Sequence, residues 1–427
     1  MLDIKFIIED PAAIKEAIKR KRNKADIDQI VTLYEQRNQK LQTVEKLRAR
    51  QNEASKEMPK SENKQALIDE MSKVKEEIKS LEPEIENLEN QIDALAILVP
   101  NPPHESVPSG ASDEDNKPIK THGTKPEFSF APKDHMELGK TLDIIDIERA
   151  TRMSGTRFYY LKNEGALLEI ALTQYTIQKL YAKGFRPVIP PVLVKEEAMF
   201  ATGFFPADRN EIYHVNPKTA ENPENDDLYL VGTSEVPLNM LHATEILPEA
   251  ELPIRYCGYS PCFRREAGSY GKDTAGIIRV HQFTKIEMFS FCHPDKSWEE
   301  HELIRATEEE IMQELGFHYQ VVNICDADLG APAAKKYDIE VWIPTQGKFR
   351  ELTSCSNCTD FQARRSQIRY KNAKGENNYT HTLNGTAIAT GRTIVAILEN
   401  YQNEDGSVTV PEVLRPFMGG MAKINLK

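Results

Sequence analysis

The pattern of apolar positions is clearest in the first quarter of the chain. Leu67, Met71, Val74, Ile78, Leu81, Ile85, Leu88, Ile92 and Leu95 alternate spacings of four and three, which is the seam of a coiled coil. Upstream, Ile30, Leu33, Val44, Leu47 and Ala54 hold a matching register, although Arg37, Lys40 and Gln51 occupy seam positions between them. Met58-Pro59-Lys60-Ser61 lies between the two runs and suits a reversal. The pattern predicts an antiparallel helical hairpin over about 27–97, each arm reaching roughly 45 Å at 1.5 Å per residue. Pro83 falls inside the second run, where the continuing seam predicts a bend rather than a stop.

Beyond this, Pro100, Pro102, Pro103, Pro108 and Pro118 are mixed with Gly110, Ser112, Asp113, Glu114 and Asp115, the composition of a linker. The chain divides accordingly into an N-terminal domain over 1–103, a linker over 104–118 and a second domain over 119–427. Phe158 to Lys183 has the pattern of a long amphipathic helix, with Leu161, Leu168, Leu172, Tyr175 and Leu180 as core candidates. The proline-bearing stretch from Phe185 to Val194 must be extended. Further strand patterns at Leu228–Val231 and Ile339–Ile343, with long loops and few regular crossovers, predict an α+β fold built on an antiparallel sheet flanked by helices.

Composition narrows the class. With 427 residues, two or three domains are expected, and 40% hydrophobic with 28% charged residues is ordinary for a water-soluble protein. No run of about 18 apolar residues exists, and Met1-Leu2-Asp3-Ile4-Lys5 opens no secretory signal, so a cytoplasmic location and no membrane contact are expected. The six scattered cysteines fit a reducing compartment. Cys355 and Cys358 alone have metal-like spacing, with no second pair or His-x3-His to complete it, and no zinc is expected. The net charge of −12 argues against indiscriminate nucleic-acid binding. From Arg37 to Lys64, however, eight basic residues face four acidic ones. On charge alone, a phosphate-facing helix and a solvated one are equally compatible.

Candidate chemistry collects in four segments of the second half. Phe263-Arg264-Arg265-Glu266 and Arg279-Val280-His281-Gln282-Phe283, the latter followed by Glu287, read as two strands joined by a glycine-bearing loop over 268–276. With a period of two, Arg264 and Glu266 share one face of the first strand, and His281, Phe283 and Glu287 one face of the second. Phe283 and Glu287 then lie roughly 13 Å apart, the span of a nucleotide joined to a small acid. The other segments are Gly232-Thr233-Ser234-Glu235, then Arg350-Glu351-Leu352-Thr353-Ser354-Cys355, and Leu383–Ala387 leading into a helix over Ile388–Asn400 that carries Gly391 and Arg392. No Gly-x4-Gly-Lys-[Ser/Thr] or strand-borne Gly-x-Gly-x2-Gly is present, so a nucleotide is held differently from a P-loop or Rossmann site.

These segments resemble the three motifs of class II aminoacyl-tRNA synthetases. Thr233-Ser234-Glu235, Arg279–Phe283, Glu351–Ser354 and Gly391–Gln402, with the helical hairpin, resemble a bacterial-type seryl-tRNA synthetase over essentially the whole chain. Thr386 stands where many members carry Ser, a change that keeps the hydroxyl. The resemblance implies ATP-dependent formation of seryl-adenylate and transfer of serine to tRNA(Ser), with tRNA(Sec) as a second substrate where the organism has one. It implies catalytic roles for Arg264, Arg392 and Glu351. ATP contacts fall to Arg264, Arg265, Glu266, Val280, Phe283, Glu351, Leu352, Thr353, Ser354 and Arg392, and Mg²⁺ to Glu351 and Ser354. L-Serine is expected at Thr233, Ser234, Glu235, Glu287 and Thr386. It further implies a tRNA-binding coiled-coil arm, a catalytic second domain, and a homodimer with its proline-bearing motif at the interface and tRNA bound across subunits. The hairpin loop is expected to order on ATP and to meet the tRNA acceptor end. His281 is expected to pack or orient, because a carboxylate nucleophile needs no general base. The alternatives are a class II relative charging another amino acid or a carrier protein, and a coiled-coil interaction protein with an inactive ligase body.

Overall fold

The computed structural model describes residues 2–60, 63–268 and 276–426; the tip of the hairpin loop, 269–275, lies outside the described residues. Two compact units divide at Pro102/Pro103.

In the first unit, helices α1 (Ile27–Glu57) and α2 (Lys64–Ala96) form the expected hairpin. Asp26 caps α1 by accepting from the Gln29 N–H, and Asn63 caps α2 by accepting from Ala66. Val44 packs with Val74, Ile78 and Ile85, and Leu33 with Leu88 and Ile92, so the heptad seam is the buried face. The charged seam positions have cross-helix partners: Arg37 pairs with Glu89 at 2.6 Å and Lys40 with Glu84 at 2.5 Å. Arg48 and Arg50 likewise reach Glu82 and Glu70. Half of the eight basic residues counted between Arg37 and Lys64 are therefore neutralised within the hairpin, by solvent-screened pairs that add little to stability. Helix α2 runs unbroken through Pro83, because the missing amide costs one bond while the seam on both sides stays buried.

The second unit is built on an eight-stranded sheet. Its strands are β1 (Lys117–His122), β2 (Arg186–Val188), β3 (Ile254–Phe263), β4 (Gln282–Cys292), β5 (Tyr319–Asn323), β6 (Lys335–Ile343), β7 (Lys348–Asn357) and β8 (His381–Ala389). They run in the order β1-β5-β6-β7-β8-β4-β3-β2, antiparallel throughout except where β2 joins β3 in parallel. Helix α3 (Asn163–Ala182) covers the sheet, beginning later than the apolar pattern predicts because Tyr160–Leu161 pairs with Ile145–Asp146. Short α4 (Glu235–Met240), α5 (Ser297–Glu314) and α6 (Thr390–Asn400) complete the frame. Helix α6 starts at Thr390, since Ile388 and Ala389 remain paired to β4. At Gly385 the sheet lies so close to α5 that a Cβ would sit 2.4 Å from Ile304, so glycine sets that approach.

Residues 104–118 pack on this second unit: Val107 is buried with Val322, Ile324, Leu329 and Ala333, and the His104 N–H donates to the Ala334 carbonyl at 2.8 Å.

Candidate active site

One face of the central strands opens into a cavity of about 390 Å³ lined from the turn after β3, from β4, β6, β7 and β8, and from the starts of α4 and α6. Period-two alternation on β4 aims Phe283, Lys285 and Glu287 into it together. Of the residues expected from sequence, Thr233, Glu235, Arg264, Glu266, Val280, Phe283, Glu287, Glu351, Leu352, Ser354, Thr386 and Arg392 line it.

Three do not. Ser234 is fully buried, bonded to Ser260 Oγ at 3.0 Å, because the chain turns into α4 here and the hydroxyl faces β3. Thr353 points through the sheet to Glu308 on α5, on the opposite side of β7 from Ser354. Arg265 is exposed, its N–H donating to the Glu211 carbonyl at 2.8 Å. Strand β3 ends at Phe263 and Glu266 has φ 52°, so Arg264 and Glu266 reach the cavity through a turn rather than as alternating strand residues. His281 precedes β4, and its Nδ1 bonds to the Arg264 carbonyl at 2.9 Å.

The cavity has two chemically distinct ends. At one, the Arg392 guanidinium donates to the Glu351 carbonyl at 3.0 Å and approaches its carboxylate at 3.3 Å. Burial opposes ionisation of Glu351, but Arg392, Lys336 and Arg264 outweigh it and hold the carboxyl at about 2. Its side chain remains 41% exposed, so the carboxylate is open to a ligand. Arg264 donates to the Gly232 carbonyl at 3.2 Å, and its guanidinium lies 5.3 Å from the Phe283 ring centroid in a cation–π contact. Glu266 is ion-paired to Arg279 at 2.5 Å.

The other end is small, buried and polar. Lys285 is ion-paired to Glu287 and donates to the Thr233 hydroxyl at 2.7 Å; Thr386 donates to Glu287 at 3.3 Å. Glu235 accepts from Gln362 at 2.6 Å and Asn384 at 3.0 Å. Burial first, then the nearby Glu287 carboxylate, push Glu235 up to about 7. Two carboxylates share this end with one ammonium, an arrangement that favours a small cationic guest.

Lys285, Asn384, Lys336 and Gln362 were not singled out in the sequence. Lys285 and Asn384 lie two residues from Glu287 and Thr386, so strand period could have found them. Lys336 faces Ser356 across the β6–β7 pairing, and Gln362 reaches Glu235 from the distant helix Phe361–Ser366. Neither has a local signal. Among the described residues no three His, Cys, Asp or Glu side chains form a metal cluster, and the Cys355 thiol is pushed well up by burial and by Glu308.

The antiparallel sheet, the arginine-bearing hairpin and the arginine-bearing last helix define a class II aminoacyl-tRNA synthetase. Residues 213–401 match the tRNA synthetase class II core domain (G, H, P, S and T), and residues 1–103 match the seryl-tRNA synthetase N-terminal domain. The serine–tRNA ligase of Thermobifida fusca is 48% identical over 422 residues, covering 98% of each chain. The crystal structure of seryl-tRNA synthetase from Pyrococcus horikoshii complexed with ATP superposes over the full length of both chains with a TM-score of 0.94 at 42% identity. The cytoplasmic enzyme of Naegleria fowleri in complex with AMP gives 0.90 at 35%, covering 100% of this chain and 99% of that one. The chain belongs to the seryl-tRNA synthetase family.

Proposed function

We propose that the protein is an ATP-dependent serine–tRNA ligase whose adenylate forms in the cavity on β4, β7 and β8. The observation that carries this is the pairing within one cavity of a cationic end, with Arg264 and Arg392, and a hydroxyl-and-carboxylate end, with Thr233, Glu235, Glu287 and Thr386. A triphosphate fits the first end and a small amino acid with an ammonium and a hydroxyl fits the second. The serine carboxylate attacks the α-phosphorus, the bond to the β,γ-phosphates breaks, and pyrophosphate leaves. The nucleophile is already an anion, so the protein's work is alignment and neutralisation of charge. Arg264 bridges both anions from beside Phe283, on which adenine stacks with Glu266 and Val280 at its edge. Arg392 holds the far phosphates through a planar fork. Glu235 and Glu287 divide the serine ammonium and hydroxyl between them. In the second step a terminal ribose hydroxyl of tRNA attacks the seryl carbonyl, and AMP leaves.

Glu351 and Ser354 would hold Mg²⁺: the carboxylate is kept ionised and open to the cavity, and oxygen donors suit a hard ion that takes its remaining ligands from phosphate and water. Bound there, Mg²⁺ supplies further neutralisation of phosphate charge.

The N-terminal domain, 1–103, serves as the tRNA-binding domain, with 119–427 catalytic. Of the eight basic residues from Arg37 to Lys64, Lys46, Lys56, Lys60 and Lys64 have no cross-helix acidic partner among the described residues, and they offer themselves to phosphate. Leu167, Ile170, Tyr181, Ile189 and Leu193 are exposed around α3 and β2, with Ile189 81% exposed. A second copy of the chain covers this apolar surface in a homodimer, which lets tRNA held by one arm enter the partner's cavity. Where the organism has a tRNA(Sec), it shares the arm as a second substrate, and the enzyme works in the cytoplasm. No helix among the described residues is long and apolar enough to cross a membrane.

ATP–pyrophosphate exchange with each amino acid tests the substrate. Serine supports exchange; a preparation in which threonine or proline outperforms serine sinks the reading.

A further inference from the structure

His135 is buried against Glu399, near the end of α6, with Nδ1 at 2.8 Å from its carboxylate. The opposite ring nitrogen, Nε2, accepts from the Ile277 backbone N–H at 3.3 Å, which assigns the ring's own proton to Nδ1. The contact leaves no room between ring and backbone: at Gly276, φ +82°, a Cβ would sit 2.2 Å from Nε2. Glu399 also accepts from the Thr345 hydroxyl at 2.5 Å, so its carboxylate is fixed independently of His135.

Ile277, Ile278, Arg279 and Val280 form one wall of the cavity. This wall is tied to α6 twice. Arg392, near the start of the helix, donates to the Ile278 carbonyl at 3.4 Å, and Glu399, two turns later, holds Ile277 through His135. The helix that carries a phosphate-binding arginine is thus coupled to the segment expected against the adenine ring. Neither tie reaches Thr233, Glu287 or Thr386, which hang on α4, β4 and β8.

We propose that His135 is a positioning residue for the nucleotide: through Ile277 it sets the distance between the 277–280 wall and Arg392, and so controls ATP affinity without affecting the serine end. The proposal rests on the reading of this cavity as the ATP site.

His135→Phe keeps a ring in place and removes both bonds, leaving a buried N–H without an acceptor. In serine-dependent ATP–pyrophosphate exchange we expect KM for ATP to rise about tenfold, the factor of one unmade buried hydrogen bond, with KM for serine unchanged. His135→Gln, with an amide oxygen for Ile277 and an amide nitrogen for Glu399, recovers most of the loss. Hydrogen exchange at 276–280 quickens in His135→Phe and returns toward wild type in His135→Gln. A wild-type KM for ATP in His135→Phe overturns the proposal, as do equal losses for ATP and serine that His135→Gln does not repair. If His135→Phe does not fold, Glu399→Gln is judged alone: a rise in KM confined to ATP supports the proposal and no change overturns it. Arg392→Ala separates the two readings. If it leaves exchange intact, the assignment of the cavity has failed; if it abolishes exchange while the His135 variants behave as wild type, only the role of His135 has failed.

Discussion

Lys285 and Glu287, two residues apart on one face of β4, form a buried ion pair on the floor of the cavity, and the same ammonium holds the Thr233 hydroxyl at 2.7 Å. Lys285→Met leaves the carboxylate without its cation in a nearly solvent-free position. A loss of about 3 kcal/mol in unfolding free energy is expected from urea denaturation, together with weaker serine binding as Thr233 loses its anchor. Unchanged stability would show that Glu287 draws its charge compensation from elsewhere.

Glu235 gives the serine end a pH dependence. Its folded value of about 7 lies above the ordinary 4.5, so the empty protein gains stability from the protonated form at low pH and loses that contribution as pH rises through about 7. An ammonium guest prefers the ionised form. KM for serine should therefore rise as pH falls below about 7, approaching tenfold per unit, while KM for ATP changes little. Glu235→Gln should raise KM for serine about a hundredfold and flatten the profile between about pH 6 and 8. A slope that survives in Glu235→Gln assigns the titration to another group.

Arg392→Ala removes the guanidinium proposed to hold the far phosphates, and with it the cation first among those holding Glu351 ionised. Exchange should fall about 10²–10³-fold or more. Near-normal exchange refutes the phosphate assignment.

Deleting Leu33 to Ile92 stays within the first unit. Serine activation should persist while aminoacylation of tRNA disappears, measured side by side on one preparation. Loss of both steps makes the arm a folding element instead.

Ile189→Asp puts a charge on the most exposed large apolar side chain among the described residues. Sedimentation should show monomer where the parent protein is a dimer. A parent that sediments as a monomer removes the basis for charging across subunits.

Several features were legible from residues alone, each for a local reason. The coiled-coil hairpin follows from nine apolar positions at heptad spacing, and the cavity-facing alternation of Phe283 and Glu287 follows from strand period. Arg37 and Lys40, which look like flaws in the seam, are explained by Glu89 and Glu84, more than 40 residues away in sequence. Ser234 and Thr353 carry the right functional groups in the right motifs, yet a turn into α4 and the pleat of β7 send them away from the cavity.

The sequence by itself determined the coiled-coil hairpin and the shared face of Phe283 and Glu287, because periodicity is a property of neighbouring residues. The tertiary structure alone decided that Lys285 holds the Thr233 hydroxyl, that Gln362 and Asn384 hold Glu235, and that His135 joins Ile277 to Glu399. Those relationships depend on desolvation and on hydrogen bonds between residues far apart in the chain. Folding must first exclude water and bring the strands together before a lysine becomes a partner or a carboxyl is pushed up to about 7.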